Sequence, residues 1–208
     1  MGSSKRAGRG EETRERIIEA AIQVFANHGF EGASTRRIAE LAGANQGLIT
    51  YHFGSKEKLW QAACDHLFGG FREAILARAA MLGDAEPRAK LRLLIFFFVR
   101  YAARRPEQMR LMIQEGKANS PRTDWLVERH IEPMYQFLTE LIAPAQAAGL
   151  VIEAPPANLF YAFIGSTSLI FTHTQECERL TGQDPMDEAV IEAHAETICR
   201  LFIREGRS

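Results

Sequence analysis

Cysteine is scarce in this sequence of 208 residues: Cys64, Cys177 and Cys199 stand far apart, with no CxxC pair and no even framework. That pattern speaks against a disulfide scaffold and a thiolate metal site, and leaves small apolar filler in a reducing compartment as the expectation. None of the six histidines has a glutamate three residues ahead of it, so the Glu-x-x-His spacing of a carboxylate-bridged metal centre is missing. HExxH, GxSxG and a phosphate-cradling glycine loop are missing too. No enzyme activity, cofactor or metal is therefore expected, with an enzyme built on a helical bundle kept as an alternative.

An excess of either charge is also absent. The formal net charge is −1, which argues against a general nucleic-acid coat. Its distribution is mildly uneven: residues 1–60 carry nine Lys/Arg against seven Asp/Glu, the remainder sixteen against nineteen. The sign suits a DNA-facing N-terminus. Residues 157–175 contain no charge, yet Asn158, Ser166, Thr167, Ser168, Thr172, His173, Thr174 and Gln175 interrupt them. A membrane span needs about twenty predominantly apolar residues, so this segment reads as a helix buried in protein. Residues 1–16 are basic and polar with no apolar run behind them, unlike a signal peptide, and a cytoplasmic protein without membrane association is expected.

What is plentiful is Leu, Ala, Arg and Glu, while β-branched runs are rare and no strand alternation or repeat is found. The fold class expected is all-α: a three-helix N-terminal module followed by a larger bundle, about nine helices in total. Residues 1–12, with Lys5, Arg6 and Arg9, read as a flexible basic arm, 13–59 as a first domain and 60–208 as a second. The first helix runs from about Thr13 to His28 on the stripe Ile17, Ala20, Ala21, Val24 and Phe25, and Gly29 stops it. Thr35 is the expected N-cap of a second helix, Asn45 of a third, and Ser55 of a long fourth ending near Met81. Leu93–Val99 is apolar all round, the mark of a central helix. Pro106 and Pro121 open further helices, the second kinked at Pro133.

The informative stretch starts at Thr35. Ala39 is the small residue a helix-turn-helix needs where its helices cross, Gly43 makes the turn, and Ile49 anchors the inner face of the third helix. Ile38, Ala42 and Leu48 complete the expected core. The residues Arg16-Ile17-Ile18-Glu19-Ala20-Ala21, Phe25, Gly29, Thr35, Ile38-Ala39, Ala42-Gly43, Gly47, Tyr51-His52-Phe53 and Ser55-Lys56-Glu57-Lys58-Leu59 together resemble the tetracycline-repressor family. The resemblance covers about Thr13–Leu59. It implies a sequence-specific transcriptional regulator, a repressor released by a small apolar ligand, which binds palindromic double-stranded DNA as a homodimer. A helical-bundle ligand-binding or interaction module without DNA binding is the alternative.

On the expected DNA face, Gln46 can pair bidentately with adenine, and Asn45 either does likewise or only caps its helix. Gly47 allows close backbone approach, and Thr50 suits a thymine methyl or a phosphate. Tyr51 and His52 suit phosphates, with packing the competing role for Tyr51; Thr35 and Lys56 sit at helix starts that favour phosphate. Arg36 and Arg37 cannot both face DNA. Thr50 stands where the family usually carries Tyr or another aromatic.

In the body, residues 157–178 and 186–204 carry surplus apolar surface. The last helix has two stripes, Ile191, Ala195, Ile198, Phe202 and Val190, His194, Thr197, Leu201, which suit a four-helix interface between two copies. Phe71, Phe97, Arg100, Met112, Gln114, Tyr161 and His173 are the candidates for lining the pocket of an unidentified effector.

Overall fold

The structure, a computed structural model, describes residues 2–83, 85–117 and 120–204; the side chains of residues 2–7 and 9 lie outside it. The described residues form no strand. They form α1 (Gly2–Gly32), α2 (Thr35–Leu41), α3 (Gln46–Phe53), α4 (Lys56–Met81), α5 (Pro87–Arg104), α6 (Pro106–Glu115), α7 (Pro121–Leu126), a π-helical stretch (Val127–Ile131), α8 (Glu132–Ala147), α9 (Pro156–Thr172), α10 (Thr174–Thr181) and α11 (Glu188–Phe202). No helix among the described residues is long and apolar enough to cross a membrane.

Local chemistry sets most boundaries. Pro87, Pro106, Pro121 and Pro156 each stand first in a helix, where the missing N–H costs nothing. The expected kink at Pro133 takes the form of the π-helical turn just before it. Proline cannot donate to the ladder and crowds the carbonyl four residues back, so the preceding turn widens. The uncharged helix stops at Thr172 instead of running on. There Thr172 Oγ1 bonds the Leu169 carbonyl at 2.8 Å, and the backbone leaves helical geometry at His173. At the other end of the chain, α1 begins at Gly2, ahead of the expected Thr13. The side chains of Lys5, Arg6 and Arg9, the basic arm of the sequence reading, lie outside the described residues.

Three expectations are corrected. Ser34, not Thr35, caps α2: its hydroxyl accepts from Arg37 N at 3.2 Å, and Thr35 is the first helical residue. Gly29 breaks α1 with φ +66°, but the chain resumes a helical turn to Gly32 instead of stopping. Leu93 is 53% exposed, so α5 has an outer side and is not central all round.

The chain divides into two units, residues 1–70 with 110–126, and residues 71–109 with 127–208. In the first, Ile17, Ala21 and Ile22 of α1 and Leu59, Trp60 and Ala63 of α4 are fully buried. Residues 110–126 close it from outside the three-helix module: Trp125 packs on Trp60 with ring centres 5.5 Å apart, and Arg110 bonds Asn27 at 3.0 Å.

In the second unit, Phe98, Phe163 and Phe202 join α5, α9 and α11 by edge-on contacts at 4.9 and 5.4 Å. The two stripes of α11 part company there. Ile191, Ala195 and Ile198 are buried, whereas Leu201 is 66% exposed and Thr197 open. Helix α9 divides likewise: Leu159, Phe160, Phe163 and Ile164 face the core, and Tyr161, Ala162 and Leu169 face out. Thr167 and Ser168 turn inward, Thr167 bonding the Phe163 carbonyl at 2.7 Å, so only Gly165 and Ser166 of the small-residue cluster lie toward the open side.

His194 borders this face. Its Nε2 bonds the Ser166 carbonyl at 2.9 Å, and burial holds its pKa below the usual histidine value although that bond works the other way. Below about pH 6.5 the unfolded chain takes up a proton that the folded chain refuses. Stability is therefore expected to fall as the pH drops from about 6.5 through the lowered value. Melting temperatures of His194→Gln should vary less over that range than those of the parent; equal slopes would contradict this.

Candidate nucleic-acid interface

The turn between α2 and α3 follows from five residues. Ile38 and Ala39 are buried, at 0% and 3% exposure, and the small side chain of Ala39 lets the two helices cross closely. Ala42 ends α2, and Gly43 at φ +59° carries the chain round, a conformation that a side chain would disfavour. Asn45 then caps α3, its Oδ1 accepting from Gly47 N at 2.8 Å. A Cβ on Gly47 would sit 3.2 Å from that oxygen, so the glycine makes room for the cap.

Ile49, 2% exposed, pins the inner face of α3. Leu48, placed in the core by the sequence reading, is instead 37% exposed, one step round the helix from Ile49. The outer face presents Asn45, Gln46, Gly47, Thr50 and Tyr51, all open, with Tyr51 81% exposed. Exposure removes packing as the role of Tyr51 and leaves its phenol free.

The amide of Gln46 is already oriented. Its Nε2 donates to Thr35 Oγ1 at 2.9 Å, across the turn. That uses one of two N–H groups and leaves the other, with the amide oxygen, for the bidentate pattern adenine offers. Arg36 is tied to Glu40 at 2.9 Å, an exposed pair of little strength, while Arg37 is exposed. His52 is half-buried between Tyr51 and Phe53, with ring centres 5.1 and 6.1 Å away.

Ser55 caps α4, accepting from Lys58 N at 3.1 Å. Beside it the Lys56 ammonium lies 4.5 Å from the centre of the Phe30 ring. This contact was not legible in the sequence, nor was a second cation on the same ring, the Arg122 guanidinium at 3.8 Å. Arg122 also approaches Glu31 at 3.3 Å and the buried Glu115 at 3.8 Å. Burial raises the Glu115 carboxyl above the usual range, with Arg122 working against the shift.

The expected pocket residues do not form one group. Phe71 and Phe97 stack with centres 5.9 Å apart, and Phe97 and Arg100 line one groove. Met112 and Gln114 belong to the first unit, where Gln114 lies against Gly29. Tyr161 is 70% exposed, and His173 is exposed at the end of α9. No group of three or more potential metal ligands occurs among the described residues.

The sequence pattern of the tetR family of bacterial regulatory proteins matches residues 17–63, and that of the tetracyclin repressor-like C-terminal domain matches residues 87–201. The chain belongs to the tetR family. This tetR-family regulator is 36% identical to the transcriptional repressor NicS of Pseudomonas putida over 111 residues, 53% of this chain and 51% of that protein. Its match to NicS thus spans about half the relative's length. Over 190 residues, 91% of the chain and 88% of the relative, it is 25% identical to the regulator RutR of Escherichia coli K12. Its fold is that of AibR, whose crystal structure holds isovaleryl coenzyme A and operator DNA: TM-score 0.72 at 20% identity, covering 91% of this chain and 97% of AibR. The helix-turn-helix expected from Thr35 onward is thus the DNA-binding element of a transcriptional regulator.

Proposed function

We propose that the protein is a cytoplasmic, homodimeric repressor that reads an inverted repeat through the outer face of α3 and is released by a small, largely apolar molecule. Residues 13–59 form the reading head, and 60–208 hold the effector and the dimer interface. The observation that carries this reading is the open row Gln46, Gly47, Thr50 and Tyr51 on a helix capped at its start by Asn45 and fixed from behind by Ile49. Gln46 supplies base contacts; Asn45 either does so or only caps α3, Gly47 allows close backbone approach, Thr50 meets a thymine methyl or a phosphate, and Thr35, Arg36, Tyr51, His52 and Lys56 supply phosphate contacts. Repressors among its relatives and the AibR complex support repression and effector control.

Release needs only that the effector favour a dimer whose heads are wrongly spaced; a coupling of about 1–3 kcal/mol is typical. Helix α4 carries both Lys56 and Phe71, and is the covalent route for that coupling.

Two substitutions separate the roles. Gln46→Ala should cost roughly 1–3 kcal/mol of operator binding and relax the preference at particular base pairs. Lys56→Ala should weaken all sequences about equally and lower the salt slope by about one unit. Both are read by titration of operator and scrambled DNA over a range of salt. A Gln46→Ala protein with unchanged affinity and unchanged preference would place the reading face elsewhere.

A further inference from the structure

A groove of about 390 Å³ runs between the end of α4 and the outer side of α5. A second, narrower pocket in the core of the same unit has a volume of only about 50 Å³ and is walled by aliphatic and phenyl side chains. The groove is different in chemistry as well as in size. Phe96, Phe97 and Tyr101 give it an aromatic wall, and Arg78, Arg100 and Arg104 give it three guanidinium groups.

The wall is braced from behind: Phe71, buried, lies 5.9 Å from Phe97 and 4.6 Å from Tyr101. The Arg78 guanidinium lies over the Phe97 ring, 4.0 Å from its centre, and bonds the Ala74 carbonyl at 3.0 Å, so its position is fixed without neutralising it. Arg100 is paired with Glu192 and Glu188 of α11 at 2.5 and 3.5 Å. Arg78 and Arg104 have no carboxylate within ion-pair distance among the described residues.

Two guanidiniums uncompensated among the described residues, beside an aromatic wall, select against cations. They also penalise a neutral apolar occupant, which would strip water from the charges and return nothing. An anion with a flat or short apolar body answers both features. We infer that this groove is a binding site for small organic anions, with the body on Phe96, Phe97 and Tyr101 and the acid group on Arg78 and Arg104. Arg100, held by α11, positions the groove edge. Anion binding stands independently of effector control; only its consequence at DNA rests on the function proposed above.

The test uses the full chain and two fluorescent probes with the same ring system: anilinonaphthalene sulfonate, and phenylnaphthylamine, which lacks the acid. The sulfonate is expected to saturate a site on each chain. The double substitution Arg78→Gln, Arg104→Gln should weaken it about tenfold or more and leave the neutral probe nearly unchanged. Phe97→Ala should weaken both probes. Equal affinity for the two probes, or sulfonate binding indifferent to the arginine pair, would overturn the assignment. So would a change in sedimenting mass for Arg104→Glu, because the groove would then be covered by a second copy. Operator affinity measured alongside separates the two readings. Arginine-dependent sulfonate binding that leaves DNA affinity unchanged keeps the anion site and removes this groove from effector control.

Discussion

Gly165→Glu is expected to convert the protein to monomers and to reduce operator affinity by a factor of about 100 or more. Gly165 stands on the open side of α9, and a side chain built there meets no atom within 4 Å. The first atom of a side chain is therefore accommodated there by a single chain. Around it Tyr161, Leu169 and Leu201 are 70%, 50% and 66% exposed, more apolar surface than the outer sides of two helices need in water. In a two-fold dimer the carboxylate would meet its own copy across the axis, so each interface gains two buried like charges. Losing the second reading head removes the effective concentration that linkage supplies, and avidities of that kind are worth about 10²–10⁴. Sedimentation and operator titration of the variant measure both effects. A variant that stays dimeric would move the interface away from α9.

The complementary result is expected of Ile49→Asp: no measurable operator binding, with dimerisation retained. Ile49 is 2% exposed and stands between the turn at Gly43 and the cap of α4 at Ser55. Its neighbours in the module's core, Ile38 at 0% and Ala39 at 3%, offer no partner for a carboxylate. An unpaired charge at such a place costs on the order of 3 kcal/mol or more. The penalty is relieved by detaching α3, so the outer row of side chains loses its fixed geometry. Amide exchange should accelerate across 35–53 while the core around Phe98 and Phe163 keeps its protection. Normal operator affinity in this variant would mean that α3 is not held as described.

These two substitutions also mark how far the sequence could be read. Gly43 and Asn45 were legible because their roles are local: a left-handed turn and a side-chain cap depend on the residue and its immediate neighbours. Ser34 and Thr35 are adjacent hydroxyls, and which of them caps α2 depends on where the chain arrives from α1. Leu48 misleads because hydropathy does not tell it from Ile49, one residue and a hundred degrees round the helix. The double contact on Phe30 joins Lys56 with Arg122, and no periodicity in either segment signals it. Amphipathic pattern says that residues 110–126 bury one face, not that they do so in the unit of α1–α3. In α11 the two apolar stripes were visible, but only packing showed that Ile191, Ala195 and Ile198 of one fill the core while Thr197 and Leu201 of the other are open.

Selection from random double-stranded DNA with the intact protein tests the central claim most directly. If the outer face of α3 reads bases and two chains act together, the recovered sequences converge on an inverted repeat. Its half-sites should lie one or more helical turns apart, about 10 base pairs each, and the positions that Gln46→Ala relaxes should lie symmetrically within them. Recovery of no enriched sequence, or of a single asymmetric site unchanged by Gln46→Ala, would contradict it.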